Sequence, residues 1–241
     1  MSLMIDIGNT KTKYAHFVDG LIKEKGSCKP EEVSKIVYDY SGKVNNIMLS
    51  SVKPIPDSIL SKPMSRGCKL IVLSSKMKMP FKTLYKTPKT IGADRLALVA
   101  GAVFSFSNKP VLIIDVGTCI TIDFVDSKTK YSGGSISPGL QMRLNALSNQ
   151  TSALPLVKLS EPKDLIGRTT KESILSGVVN GAIKELDGII DSYKKRYPDT
   201  IAVITGGDLS FFDKKLKNSI FADEDILLKG MYFIQKQYAN K

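Results

Sequence analysis

Met4-Ile-Asp-Ile-Gly-Asn-Thr10 near the start of the chain and Leu112-Ile-Ile-Asp-Val-Gly-Thr118 near its middle are two versions of one phrase. In each, a short apolar run reads as a buried strand, Asp-x-Gly and a small hydroxyl residue break it, and a second β-prone run follows. The chain thus makes a strand, a tight turn and a strand twice. An Asp at a strand end can hold a metal ion. Gly lets a phosphate approach the backbone, and Thr with its neighbouring amides supplies hydrogen-bond donors. Two such turns facing one another form a nucleotide clamp.

Working outward, the first copy is followed by Lys13 to Val18, a hairpin turn at Asp19-Gly20, and strands over Asn46 to Ser51 and Leu70 to Leu73. Helices are predicted over Glu31 to Tyr40 and Asp57 to Leu60, and Lys76 to Gly92 is a Pro-, Lys- and Thr-rich loop. Ala93 to Phe104 carries Leu96, Leu98, Val99, Ala102 and Val103 at helical spacing and is expected to join the two halves. The second copy opens a meander of Val111 to Asp115, Cys119 to Val125 and Lys130 to Ser135. Then come a helix from Pro138-Gly139 through Leu147 and an amphipathic helix over Ser173 to Arg196, interrupted by Gly177, Gly181 and Gly188. A buried strand, Ile201 to Thr205, the turn Gly206-Gly207-Asp208 and a helix over Leu227 to Tyr238 close the chain. The expectation is an α/β protein of two duplicated lobes, residues 1–105 and 106–241, with a ligand cleft between them.

The composition is compatible with this. A chain of 241 residues that is 42% hydrophobic can build real cores, and no apolar run approaches the length needed to cross a bilayer. With no signal-type segment at the N-terminus, a cytoplasmic protein is expected. Cys28, Cys68 and Cys119 are far apart and form no Cys-x-x-Cys pair, so they read as reduced, buried thiols. Lys and Arg number 35 against 23 Asp and Glu, a net charge of +12. The lysines are mostly scattered and aromatics are not interleaved with them. A solvated basic face, or attraction to an anionic substrate, is therefore favoured over nucleic-acid binding. The solitary His16 has no acidic or Cys partner nearby in sequence and is assigned a structural role.

One Asp-x-Gly is an ordinary turn. Two copies, with Thr205-Gly-Gly-Asp208 as a third small-residue turn after a buried strand, point to nucleotide contacts. The three resemble the phosphate-1, phosphate-2 and adenosine motifs of the actin, hexokinase and Hsp70 ATPases. That resemblance implies duplicated ribonuclease H-like, or actin-like ATPase, lobes. Gly92-Ala-Asp-Arg95 sits where the loop enters the joining helix. Taken alone, Asp94 is readable as a helix cap and Arg95 as a surface residue. Beside a nucleotide clamp, Asp94 can take a proton from a hydroxyl nucleophile while Arg95 holds an anionic group.

Together these segments resemble type III pantothenate kinases. Asp6-Ile-Gly-Asn-Thr-Lys-Thr-Lys13, Gly92-Ala-Asp-Arg95, Asp115-Val-Gly-Thr-Cys-Ile-Thr-Ile-Asp123 and Gly133-Gly-Ser-Ile-Ser-Pro-Gly139 match that family's pattern in order. Thr151-Ser-Ala-Leu-Pro155, Thr170-Lys-Glu-Ser-Ile174 and Thr205-Gly-Gly-Asp208 continue it, while Leu21 to Lys82 matches only in layout. Cys119 and Ser152 stand where Ala is commoner.

The resemblance implies ATP-dependent phosphorylation of pantothenate to 4'-phosphopantothenate, the first step of coenzyme A biosynthesis. By the same resemblance, Asp6, Ile7, Gly8, Asn9, Thr10, Lys11, Thr12 and Lys13 line the ATP phosphates, with Asp6 holding Mg²⁺ directly or through water. Asp94 is the general base. Tyr85, Gly92, Ala93, Asp94 and Arg95 bind pantothenate. Asp115 coordinates a monovalent cation, K⁺ or NH₄⁺, and Thr118 contacts ATP. Thr170 reaches the substrate from the neighbouring subunit, so a homodimer with the substrate site at the subunit interface is implied. The role of Asp123 stays open between support of the Asp115 turn and a catalytic contribution. Two alternatives stand beside this reading: a kinase of the same fold acting on another small hydroxy acid, and a non-enzymatic transcription accessory factor.

Overall fold

The computed structural model describes residues 1–60, 64–65 and 67–239. In chain order its elements are β1 (Ser2–Ile7), β2 (Thr12–Val18), β3 (Leu21–Cys28), α1 (Val33–Ser41), β4 (Asn46–Ser51), α2 (Asp57–Leu60), β5 (Lys69–Val72), β6 (Lys82–Thr83) and α3 (Ala93–Ser105). There follow β7 (Val111–Val116), β8 (Cys119–Val125), β9 (Lys130–Pro138), α4 (Leu140–Asn149), α5 (Thr170–Arg196), β10 (Ile201–Thr205), β11 (Phe221–Ala222) and α6 (Ile226–Ala239). Two compact units result. The first comprises Met1–Ser107, Thr129–Tyr131 and Asp225–Lys241; the second comprises Asn108–Lys128 and Ser132–Glu224.

In the first unit β1, β2 and β3 form an antiparallel meander, and β4 and β5 join in parallel beside β1, giving the order β3-β2-β1-β4-β5. The second unit repeats that order as β9-β8-β7-β10-β11, with β7 antiparallel to β8 and parallel to β10. The duplicated phrase is thus a duplicated α/β topology. β3, absent from the predicted strands, completes the first meander; its residues are mostly exposed, which is why it carries no strong apolar signal.

Alternation along β1 sorts its side chains onto two faces. Leu3, Ile5 and Ile7 join Ile47, Leu49, Val33 and Val37 in a core under α1. Ser2, Met4 and Asp6 take the opposite face, where α6 packs on β1 and both α3 and α6 pack on β4. The helix α3 is buried without a break from Arg95 to Ala102, rather than along one stripe. Such a helix is a central element. It packs along α6, and the two backbones come so close that a Cβ on Gly230 would strike the Ala97 carbonyl and the Gly101 amide.

That packing also accounts for a departure from the expected boundary at residues 105 and 106. Residues from Asp225 onward belong to the first unit because the apolar side of α6 is covered by α3 and β1. Residues 240–241 of the expected second lobe lie outside the described residues.

The second unit's core lies between its sheet and α4 and α5, built on Leu112, Ile114, Ile122, Phe124, Leu186 and Ile190. The helix α5 begins at Thr170, three residues before the predicted start, and runs unbroken to Arg196. Burial of Ile174, Val178, Val179, Ala182, Ile183 and Leu186 offsets the cost of about 1 kcal/mol that each interior glycine adds relative to alanine. Thr169 caps it, accepting a hydrogen bond from the Glu172 amide at 3.3 Å.

His16 stands edge-on to Tyr40, with ring centroids 5.6 Å apart, in keeping with its structural assignment. The three cysteines are free, as expected, but half-buried rather than buried. Among the described residues, no helix is long and apolar enough to cross a membrane.

Candidate active site

Each unit brings a different part of the predicted site together. In the first, Asp6 ends β1, Gly8 to Lys11 form the turn, and Thr12 and Lys13 open β2. Asp6 pairs with Lys13 and Ile7 with Thr12 across the antiparallel ladder, so each pair shares a face. Ile7 and Thr12 turn into the α1 core, and Thr12 is fully buried. Asp6 and Lys13 take the other face. Of the eight residues of this segment, Ile7 and Thr12 can therefore reach a ligand through backbone only. Asn9, Thr10 and Lys11 are exposed.

Gly92 is the N-cap of α3, and Ala93, Asp94 and Arg95 make its first turn. An acid is the favoured charge at a helix N-terminus. The Arg95 amide donates to Asp94 Oδ1 at 2.8 Å, which holds the carboxylate at the mouth of the helix. Arg95 is buried, only 6% exposed, with its guanidinium carbon 5.7 Å from the Tyr85 ring centroid. Tyr85 in turn stacks on Tyr131, with centroids 6.2 Å apart and planes within 3°. At the start of α3, Arg95 thus meets the Tyr85 ring with its side chain and the Asp94 carboxylate with its amide, joining two segments the sequence separates.

Tyr131 escaped the sequence reading. It lies at the start of β9, is fully buried, and reaches Tyr85 because Lys82–Thr83 pair in parallel with Lys130–Tyr131. Nothing local in the sequence signals that pairing.

In the second unit, Asp115 near the end of β7 pairs with Thr205 at the end of β10. The next residue, Gly206, has φ +112°, and a Cβ there would strike the Val116 carbonyl and the Asp115 carboxylate. Only glycine meets both conditions without strain. The Asp208 amide donates to the Val116 carbonyl at 2.9 Å and the Gly139 amide to the Thr118 carbonyl at 3.1 Å. The Asp115–Thr118 turn is therefore pinned by the Gly206 turn and by Gly139, the N-cap of α4. Thr118 itself is exposed. Asp123 is fully buried on the same sheet face as Asp115, its β8 row neighbouring Ile113. Thr170 is exposed in the first turn of α5, beside a groove of about 870 Å³ between α4 and α5.

Burial pushes the Asp208 carboxyl above its ordinary value. A carboxyl raised on folding costs stability once it ionises, so its contribution declines as pH rises from the ordinary carboxylate range through the raised value. Asp208→Asn is expected to raise Tm at pH 7, with the gain vanishing as the pH falls below that window; a thermal melt series from pH 3 to 7 reads this directly.

The sequence matches the profile of type III pantothenate kinases over residues 2–192. A type III pantothenate kinase from Flavobacterium johnsoniae is 40% identical over 235 residues, covering 96% of each chain. One from Christiangramia forsetii is 42% identical over 237 residues, covering 97% of each. The chain belongs to the type III pantothenate kinase family. It is a phosphotransferase, with ATP as co-substrate and pantothenate as acceptor in coenzyme A biosynthesis.

Solved structures agree at the level of fold. A Baf family protein from Campylobacter jejuni, described as a transcriptional activator, superposes with a TM-score of 0.65 at 21% identity, covering 99% of this chain and 100% of that one. A ROK family glucokinase from Streptomyces griseus, in complex with glucose and AMPPNP, gives 0.54 at 10% identity, covering 98% and 99%. A type III pantothenate kinase is thus built on the same doubled topology as a sugar kinase.

Proposed function

We propose that the chain phosphorylates pantothenate with Asp94 as the general base. The observation that carries this is the first turn of α3, where the Arg95 amide holds the Asp94 carboxylate and the Arg95 side chain is buried against the Tyr85 ring. Arg95 would bind the pantothenate carboxylate, Tyr85 would pack on its carbon skeleton, and Asp94 would accept the proton of the attacking hydroxyl. The turn from Asp6 to Lys13 would hold the ATP phosphates through backbone amides and hydroxyls. The experiment that tests the whole is an assay with pantothenate, ATP, Mg²⁺ and K⁺ against a panel of other hydroxy acids. Preference for another acid would overturn the substrate assignment.

Two cations fit the donors present. Among the described residues, no cluster of three His, Cys, Asp or Glu gathers. Mg²⁺ does not need one, since it retains waters and substrate phosphates and takes one or two carboxylates. Asp6 would hold it, and the ion would neutralise charge on the phosphates. Asp115 and the carbonyls of its turn are all oxygen donors, suited to a hard monovalent cation, K⁺ or NH₄⁺. Omitting K⁺ is expected to lower turnover while Asp115→Asn abolishes the K⁺ response; a wild-type rate unchanged by K⁺ removal overturns this role.

We further propose that the enzyme is a homodimer whose partner subunit completes the substrate site through Thr170. What supports it is the groove beside Thr170, lined by Met142, Ala146, Leu147, Leu154, Ile174 and Val178. An apolar lining of that extent suits burial by a second chain. Ala146→Glu is expected to shift the protein from dimer to monomer in sedimentation and to lower activity by roughly tenfold or more, because an unpaired charge is costly in an interface.

Tyr131 supports Tyr85 in this reading. Tyr131→Leu is expected to raise the KM for pantothenate about 3- to 10-fold with a smaller change in kcat, the size of one aromatic pair.

A further inference from the structure

Among the described residues, three buried side-chain polar atoms have no hydrogen-bond partner: Thr12 Oγ1, His16 Nε2 and Ser50 Oγ. Thr12 and His16 pair in register with Ile7 and Leu3, so both face the α1 core. Ser50 differs. It is fully buried on β4 and pairs in parallel with Asp6 of β1, which pairs on its other side with Lys13 of β2. Residues opposite one another in a ladder share a face with Cβ atoms about 5 Å apart. Lys13, Asp6 and Ser50 therefore form one row across three strands.

The row lies at the carboxyl ends of β1 and β4, which run parallel. Open α/β sheets bind ligands just outside such strand ends. The far end of the same face makes the contrast. There Ser2, also buried, donates its hydroxyl to Gln235 Oε1 at 3.2 Å. Burying a hydroxyl without a partner is costly, and a fold that satisfies Ser2 leaves Ser50 unsatisfied. The following residue is anchored: Ser51 Oγ donates to the Lys53 carbonyl at 2.7 Å and accepts from the Lys53 amide at 3.1 Å, so the end of β4 is held in place.

We propose that Ser50 is a nucleotide-binding residue, its hydroxyl hydrogen-bonding an oxygen at the Mg²⁺-bound phosphate end of ATP. The inference rests on the reading that Asp6 and Lys13 serve that end. The row already holds a cation, Lys13, and an anion, Asp6, and a neutral donor beside them can meet a phosphate oxygen or a metal-bound water without adding charge. Ser50 is then a buried polar atom that the ligand satisfies.

The test is equilibrium binding of AMPPNP with Mg²⁺ by calorimetry, together with thermal melts, on wild type, Ser50→Ala and Ser50→Cys. Cys keeps the size but is a weak hydrogen-bonding group. Both variants are expected to bind AMPPNP about 10- to 100-fold more weakly, the loss of a hydrogen bond to a charged group. Their Tm without ligand should equal or exceed that of wild type, since an unsatisfied buried hydroxyl has been removed. Affinity within twofold of wild type in both variants overturns the proposal, and so does a Tm loss with affinity unchanged. If wild type phosphorylates pantothenate and the variants bind AMPPNP normally, only this inference falls. If the variants lose AMPPNP but wild type does not act on pantothenate, the substrate reading falls and Ser50 stands.

Discussion

Asp94→Asn is expected to fold, bind ATP as wild type does, and turn over about 10²- to 10⁴-fold more slowly. That range corresponds to about 3–5 kcal/mol of transition-state stabilisation. The substitution is nearly isosteric and keeps an oxygen to accept from the Arg95 amide, the 2.8 Å contact that orients the side chain. What it removes is the capacity to take a proton. Arg95 and Tyr85 are untouched, so the KM for pantothenate should change far less than kcat. Steady-state kinetics with both substrates varied, and a melt to show an unchanged fold, decide the matter. A variant with wild-type kcat would remove Asp94 from the chemistry. A rise in KM alone would make it a binding residue.

Gly206→Val carries the second large effect, this time on stability. Its φ of +112° is a conformation that costs a branched L-residue roughly 1–2 kcal/mol, and its Cβ would meet the Val116 carbonyl and the Asp115 carboxylate. Forcing atoms into occupied space adds about 1–3 kcal/mol. For a chain of this size the sum lowers Tm by about 5 to 15 °C. The neighbouring glycine is the control. A Cβ on Gly207 meets nothing within 4 Å, and Gly207→Ala should melt close to wild type. Because the clash falls on Asp115 and Val116, Gly206→Val should also weaken any response to K⁺ more than Gly207→Ala does. Equal Tm values for the two variants would mean that the turn relaxes freely and does not pin β7 to β10.

Part of the site was legible because its chemistry is local. Asp6-Ile-Gly-Asn-Thr10 and Asp115-Val-Gly-Thr118 each hold a strand end, a turn and a polar residue within seven positions, and Gly92 to Arg95 lie at one helix start. Others were invisible. Ser50 follows an apolar run exactly as many exposed hydroxyls do, and only its pairing with Asp6 gives it significance. Tyr131 sits 46 positions from Tyr85 and meets it through a parallel pairing of two residues with two. A strand of two residues has no periodicity to read.

By itself the sequence determined the α/β class, the duplication, the family and the acid at the start of α3, because each depends on residue type and on spacing within one or two turns of chain. Tertiary structure alone decided the rest. Covering its apolar side joined α6 to α3 and β1 in the first unit, although it follows the second unit in sequence. Strand register turned Ile7 and Thr12 into the α1 core and set Ser50 beside Asp6. An apolar stripe states that a face must be covered, not by what, and a strand's alternation states that there are two faces, not which neighbour sets the register. For that reason the doubled Asp-x-Gly turn could be read from the chain, while the row of side chains around Asp6 had to be seen in the fold.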